Sequence, residues 1–346
     1  MTIHIATSAD LGRVVRRGLQ VPVCTVPVSD NWLVGPCGAA LEVYPRSRCD
    51  FWGMQGRERA QFLRSFREMM KVIDSRRRIV IWMSRLGSDT IAFWALCAWR
   101  LLRWPDQPNL GLVVLGGPTE ADDTTGVGSG FIRVTPADAR HSLGQMRSLS
   151  LTRVREMALF WRKLSGSAPI LYSKGDRAAR GREQLFELGA YQAGFFPRFD
   201  VRGLVLARFD ELLFSCLENH QWSTPAEVFV RRGATGEELR KWLGFTGDFF
   251  LAIRLAQWAR HNGSDAALVS EPCQGRNEMT AARYRLSDMG HAIKDHGLAD
   301  TSRGAPLPVW GATAYDPLAP WVVVDDHTGR QRIQHLGELA RPDVKG

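Results

Sequence analysis

Residues 78–83 read Arg-Ile-Val-Ile-Trp-Met, with nothing polar after the first position, and the helix-like segment Asp89 to Arg103 behind them is apolar almost all round. A strand that does not alternate is buried on both faces, as in a parallel sheet covered by helices. A helix with no polar face must be buried as well. Together they restrict this part of the chain to the interior of a layered α/β fold.

The flanking segments repeat the pattern. Ile3–Ala6 is a short strand, and Asp10 to Arg17 is a short helix closed by Gly18. Val21–Val28 is strand-like, and Pro22 and Pro27 place it near a sheet edge. Asn31 to Cys49 reads as loop-rich. Arg57 to Ser75 is an amphipathic helix with Phe62, Phe66, Met69, Met70 and Ile73 on one side, and Leu110–Leu115 is another apolar strand. Strands alternating with helices predict a Rossmann-like parallel α/β domain over residues 1–135. The glycine-rich stretch Gly116 to Gly130 is read as a loop beside the sheet's carboxyl edge.

Residues 136–165 and 178–195 look helical, so 136–200 is expected to be a helical connector. Residues 201–305 then read as a winged helix-turn-helix domain. Leu204–Asn219 forms a helix. Thr224-Pro225-Ala226-Glu227 opens another, with Thr224 as N-cap and Glu227 at the capping-box position. A helix from Asp248 to Arg260, strands Ala267–Val269 and Tyr284–Leu286, and a helix capped by Ser287 complete the unit. Residues 306–346, with Pro308–Trp310 and Trp321–Val324, form a C-terminal extension.

Composition removes several classes. With 45% hydrophobic residues over 346 positions the chain is globular rather than disordered. The longest apolar run, Ile91 to Trp99, is nine residues, whereas a bilayer span needs about 20. No membrane contact and no signal peptide are expected. The six cysteines form no C-x-x-C and no histidine cluster completes a zinc pattern. A cytoplasmic protein with reduced thiols and no structural metal is expected; no motif points to a particular cofactor.

Ligands of doubly wound sheets sit at the carboxyl ends of the strands. That rule selects Ser8 and Asp10 after the first strand, Asp30 after the second, and Ser84, Arg85 and Asp89 after the third. Arg85 and the helix N-terminus beyond it suit an anion. The plainer readings are a helix cap at Ser8, turn chemistry around Asp30 and a surface pair between Arg85 and Asp89. His4, inside a strand, reads as a satisfied core histidine.

The net charge is +9, distributed as +10 over residues 1–200, zero over 201–305 and −1 over 306–346. Nucleic-acid affinity draws on phosphate neutralisation. Arg76, Arg77 and Arg78 form the densest basic cluster, and Arg254 and Arg260 are the cations of the candidate recognition helix. If the protein binds nucleic acid, the basic N-terminal part is expected to dominate. A solvated helix end is the plainer reading of the arginine triplet.

Ile3-His4-Ile5 with its following turn, Asp30 to Gly35-Pro36, and Arg78-Ile79-Val80-Ile81-Trp82 resemble the bacterial family of domain of unknown function eighteen-thirty-five. Gly247-Asp248-Phe249-Phe250, Leu286 to Gly290 and Pro308-Val309-Trp310-Gly311 resemble its C-terminal half. The resemblance implies an α/β domain followed by a winged-helix-like unit and supplies no reaction. The leading expectation is a ligand-responsive regulator: a small anionic or nucleotide-like ligand in the α/β domain, and a winged helix contacting DNA or a protein partner. The alternative is an enzyme acting on such a ligand, with the winged helix as a structural or substrate-recruiting module. A third class is a purely structural interaction protein.

Overall fold

The computed structural model describes residues 2–26, 41, 43–84, 87–116, 134–165, 193–200, 203–217, 221–246, 248–260, 265–275, 279–296, 321–325 and 331–335. The chain divides into two compact units, the first running to Gly166 and the second beginning at Ser167.

The first unit contains β1 (Ile3–Ala6), α1 (Ala9–Leu19), β2 (Val23–Thr25), α2 (Tyr44–Phe51), α3 (Gly56–Asp74) and β3 (Ile79–Ser84). It continues through α4 (Gly87–Arg103), β4 (Leu110–Leu115), α5 (Pro136–Leu143), β5 (Arg147–Ser148) and α6 (Leu151–Leu164). Its five-stranded sheet has the order β2-β1-β3-β4-β5, parallel throughout except for the β4–β5 pair. The chain is a mixed α/β protein with a mostly parallel sheet. β2 is an edge strand and starts after Pro22, where a missing N–H costs no ladder bond.

All six residues of β3 are buried. By alternation Val80 and Trp82 face one side, where they pack with Leu11 and Val15 of α1, Val113 and Leu115 of β4 and Ala139 of α5. Ile79, Ile81 and Met83 face the other side. The Trp82 indole N–H donates to His4 Nδ1 at 3.0 Å, which places the imidazole proton on Nε2. Burial pushes the His4 pKa below its ordinary 6.5. The unfolded chain therefore takes up this proton at a higher pH than the folded one. The His4 contribution should be complete above about pH 6.5 and lost as pH falls through the lower folded value. Thermal melts between pH 7.5 and 5 should show this decline in the wild type and a flatter profile in His4→Phe. Equal profiles would mean that His4 is not the titrating group.

Three sequence expectations change here. Residues 136–165 are not a connector: α5 packs on α1, α6 on α4, and β5 joins the sheet. Helical periodicity is the only signal in that segment, and a two-residue edge strand has no period to detect. The loop-rich stretch before Cys49 holds α2, whose inward side includes fully buried Arg48 beside the Tyr44, Phe51 and Trp52 rings at 5.5–5.9 Å. A pattern that counts only apolar residues skips a buried arginine. Helix α4 begins at Gly87, two residues before the start expected at Asp89.

The second unit contains β6 (Arg198–Asp200), β7 (Gly203–Val205), α7 (Arg208–Cys216), α8 (Pro225–Phe229), α9 (Ala234–Thr246) and α10 (Asp248–Arg260). β8 (Leu268–Pro272), β9 (Ala282–Leu286), α11 (Asp288–His296), β10 (Trp321–Asp325) and β11 (Gln331–His335) follow. β8 and β9 pair as an antiparallel hairpin, and Ser223 forms a bridge to Tyr284 beside it. Thr224 and Glu227 make the expected reciprocal capping box, with Pro225 in the first turn of α8. The Ser287 hydroxyl accepts the Gly290 N–H at 3.1 Å, as its place before α11 predicts.

A second sheet, ordered β11-β10-β6-β7, alters the expected boundaries. Leu204 and Val205 lie in a strand, not in the helix expected from Leu204, because a three-residue apolar run fits either period. β10 pairs parallel with β6, so the C-terminal segment completes this unit and is not an appendage. The helix expected over 178–195 and the Pro308–Trp310 motif lie mostly or wholly outside the described residues.

The second unit's core centres on Phe195, Phe209 and Phe250, whose ring centroids are 5.0–5.6 Å apart. Gly194 lets Trp242 reach this cluster: a Cβ there would lie 1.8 Å from the indole Cη2. Gly194→Ala must displace that ring, at about 1–3 kcal/mol for an overpacked core. Urea unfolding should show the loss; an unchanged midpoint would mean the indole shifts freely.

Candidate functional site

The order β2-β1-β3-β4 reverses direction between β1 and β3. From β1 the chain passes through α1 to β2 on one side, and from β3 through α4 to β4 on the other. Such a reversal opens a crevice at the carboxyl ends of the two strands, flanked by the N-termini of both helices. Ala6 is in register with Trp82, so Ser8 and Ser84, each two residues further on, emerge at the same edge.

Thr7 closes the floor. Its N–H and its hydroxyl both donate to the Trp82 carbonyl, at 3.0 and 3.1 Å. Ser8 is the N-cap of α1 in extended conformation, accepting the Leu11 N–H at 3.4 Å. Ser84 ends β3 and is bound to Asp89 twice: its N–H donates to Oδ2 at 2.9 Å and its hydroxyl donates to the same oxygen. Thr7, Ser84, Asp89 and Thr90 are all at least 94% buried. The edge therefore holds the buried hydroxyls of Thr7 and Ser84 and the Asp89 carboxylate, with Ser8 half-buried at its rim.

Asp89 lies in the first turn of α4, where its charge favourably meets the helix dipole. The dipole is already answered by a carboxylate of the chain itself, so this helix end does not select a further anion. What it offers a ligand is an acceptor for hydroxyl donors.

Of the six residues predicted to bind ligand, the fold brings Ser8, Ser84 and Asp89 together. Asp10 is not with them: it is 80% exposed on α1 and paired with Arg13 one turn on, because the first-turn position after the cap faces solvent. Asp30 and Arg85 lie outside the described residues, as does the glycine-rich stretch after Gly116.

Arg76, Arg77 and Arg78 precede β3 and so lie at the opposite, amino end of the strands. Arg76 stacks over Trp104 at 5.4 Å, Arg78 donates to the Ser148 hydroxyl at 2.5 Å, and the Arg77 carbonyl accepts from Arg100. Arg76 and Arg77 are exposed. Arg260 is exposed at the end of α10.

Arg254 departs from its expected role. It is 1% exposed, donates through Nε and Nη2 to both carboxylate oxygens of Asp210 at 2.7 and 2.5 Å, and reaches Gln257 at 3.1 Å. The Trp258 indole N–H donates to the same carboxylate at 2.9 Å. A guanidinium enclosed by its own counter-ion has no face for a phosphate. The cation on α10 belongs to the core because α7 brings a buried carboxylate to it.

Burial pushes the Cys24 thiol up to about 11, with Glu68 adding to the effect, and raises Cys97 and Cys216 as well. At neutral pH these three are protonated and poor nucleophiles. Among the described residues, no group of three His, Cys, Asp or Glu side chains is placed to hold a metal ion. No helix among them is long and apolar enough to cross a membrane. Searches of protein-family models and of curated proteins find no match to this chain.

Proposed function

We propose that the first unit binds a small nucleotide-like ligand at the β1–β3 edge, and that residues 208–296 act as a winged helix contacting DNA in response. The single observation carrying the ligand site is the convergence of Ser8, Ser84 and Asp89 where the strand order reverses. A buried carboxylate held by a serine at that place suits a ribose-like hydroxyl pair, as acidic residues do in dinucleotide-binding sheets. For the second unit the support is the element order: helices, a two-stranded hairpin with a single bridge to Ser223 beside it, and a closing helix. The family resemblance implies the same two-part plan.

Titration of the full chain with a panel of nucleosides, nucleotides and sugar phosphates tests the ligand site. At about 100 times its dissociation constant, a true ligand stabilises the protein by about 2.7 kcal/mol, visible as a raised Tm. Ser84→Ala removes one hydroxyl group from the site, worth about 1 kcal/mol, and should weaken that ligand roughly fivefold. A panel without any Tm shift, or a ligand indifferent to both Ser84→Ala and Asp89→Asn, would remove the site.

A further inference from the structure

The β8–β9 hairpin has two unlike faces. Its pairing sets Leu268 opposite Leu286, Val269 opposite Arg285, and Glu271 opposite Arg283. Leu268, Tyr284 and Leu286 are buried on the inner side. Alternation sends Val269, Glu271, Arg283 and Arg285 outward. The bridge between Ser223 and Tyr284 brings Trp222 to the same outer side. Arg283 Cζ lies 5.4 Å and Arg285 Cζ 5.1 Å from the centre of the Trp222 ring.

Two cations on one indole repel each other unless anions answer them. Glu271 answers Arg283, to which it is ion-paired, with side-chain exposures of 35% and 46%. Among the described residues Arg285 has no hydrogen-bond or ion-pair acceptor, although it is half-buried against the ring. The patch therefore carries one uncompensated guanidinium and a second shared with an exposed carboxylate that a stronger anion can displace.

We infer that this outer face, with Arg283 and Arg285 stacked on Trp222, is a contact for the phosphate backbone of duplex DNA. The inference rests on the DNA-contacting role proposed for the second unit and names the surface that performs it. Stacking fixes the two guanidinium planes before binding, so little side-chain entropy remains to be lost. A planar guanidinium can meet a phosphate in bidentate fashion. Two residues apart on one strand, the arginines are about 6.6 Å apart along it, and a repeating phosphate chain engages both at once. Single-stranded binders need bare aromatic platforms for the bases; here the ring is covered by arginines, which favours a duplex. Helix α10 does not compete for this role through Arg254, whose charge is spent on Asp210.

The test uses the full chain and a random-sequence duplex, with binding followed by fluorescence anisotropy from 50 to 200 mM salt. Removing one cation that neutralises a phosphate lowers the slope of log K against log salt by about 0.9. Arg283→Ala/Arg285→Ala should therefore flatten the slope by about 1.8. Arg283→Lys/Arg285→Lys should keep the slope with affinity a few-fold lower, since charge remains and stacking is lost. Glu271→Gln removes a competing anion and should tighten binding; it keeps the inference falsifiable if the double alanine variant does not fold. Arg76→Ala/Arg77→Ala/Arg78→Ala serves as comparator. A folded double alanine variant with the wild-type slope, or a Glu271→Gln protein that binds no tighter, overturns the hairpin contact while leaving the DNA role standing. A wild type that fails to bind at 50 mM salt overturns both.

Discussion

Asp210→Ala is expected to destabilise the second unit by about 3–5 kcal/mol, the range for breaking one side of a buried ion pair. Asp210 accepts three hydrogen bonds, two from Arg254 and one from the Trp258 indole, and all three side chains are 1% exposed. Removing the carboxylate leaves a guanidinium charge in the core with no counter-ion, and an indole N–H without this acceptor. Asp210→Asn keeps one carbonyl acceptor and should fall between. The double variant Asp210→Leu/Arg254→Met removes both charges and should recover much of the loss, because the cost lies in the orphaned charge more than in the missing pair. Urea unfolding of the full chain, followed by far-ultraviolet circular dichroism, checks the order of these variants. A loss below about 1 kcal/mol for Asp210→Ala, the worth of an exposed pair, would show that water reaches the site. The same argument fixes how Arg254→Ala must be read in any DNA-binding assay: weaker binding would report unfolding, not a missing phosphate contact.

The second large effect is expected at Arg100→Ala, on the order of 4 kcal/mol, from several carbonyls losing a charged donor at about 1–3 kcal/mol each where they stay dry. Arg100 is 1% exposed within α4. Its Nε donates to the Pro108 carbonyl at 2.6 Å, Nη1 to Ile73 at 2.5 Å and also to Ser75, and Nη2 to Arg77 at 3.0 Å. One side chain thus ties the end of α3, the approach to β3 and the turn into β4. Burial lowers the pKa of Arg100, partly offset by Asp74. Arg100→Lys retains a charge but not the planar fork that reaches four carbonyls, and should recover less than half of the loss. Hydrogen exchange gives a local readout: the β3 and β4 amides should lose protection in Arg100→Ala while those of the β8–β9 hairpin keep theirs. Uniform loss would assign the effect to global unfolding. Unchanged β3 and β4 protection would mean that water replaces the guanidinium at no cost.

Local chemistry is legible in the sequence. An unbroken apolar β3, a capping box at Thr224 and Glu227, a serine before α1 and another before α11 specify structure through neighbours one to four positions away. The parallel sheet follows from them, and with it the carboxyl edge holding Ser8, Ser84 and Asp89. What only the tertiary structure decided depends on partners far along the chain. His4 meets Trp82 78 positions away, β6 pairs with β10 beyond the whole helical region, and Asp210 meets Arg254 44 positions away. Whether an arginine faces solvent or core is set by whether the fold delivers a carboxylate or carbonyls to it, because burial of the charge is tolerable only when paired. Nothing local separates Arg254 and Arg100, which are buried, from Arg260, which is exposed. The arginines that make up most of this chain's positive charge therefore received their separate roles from tertiary contacts.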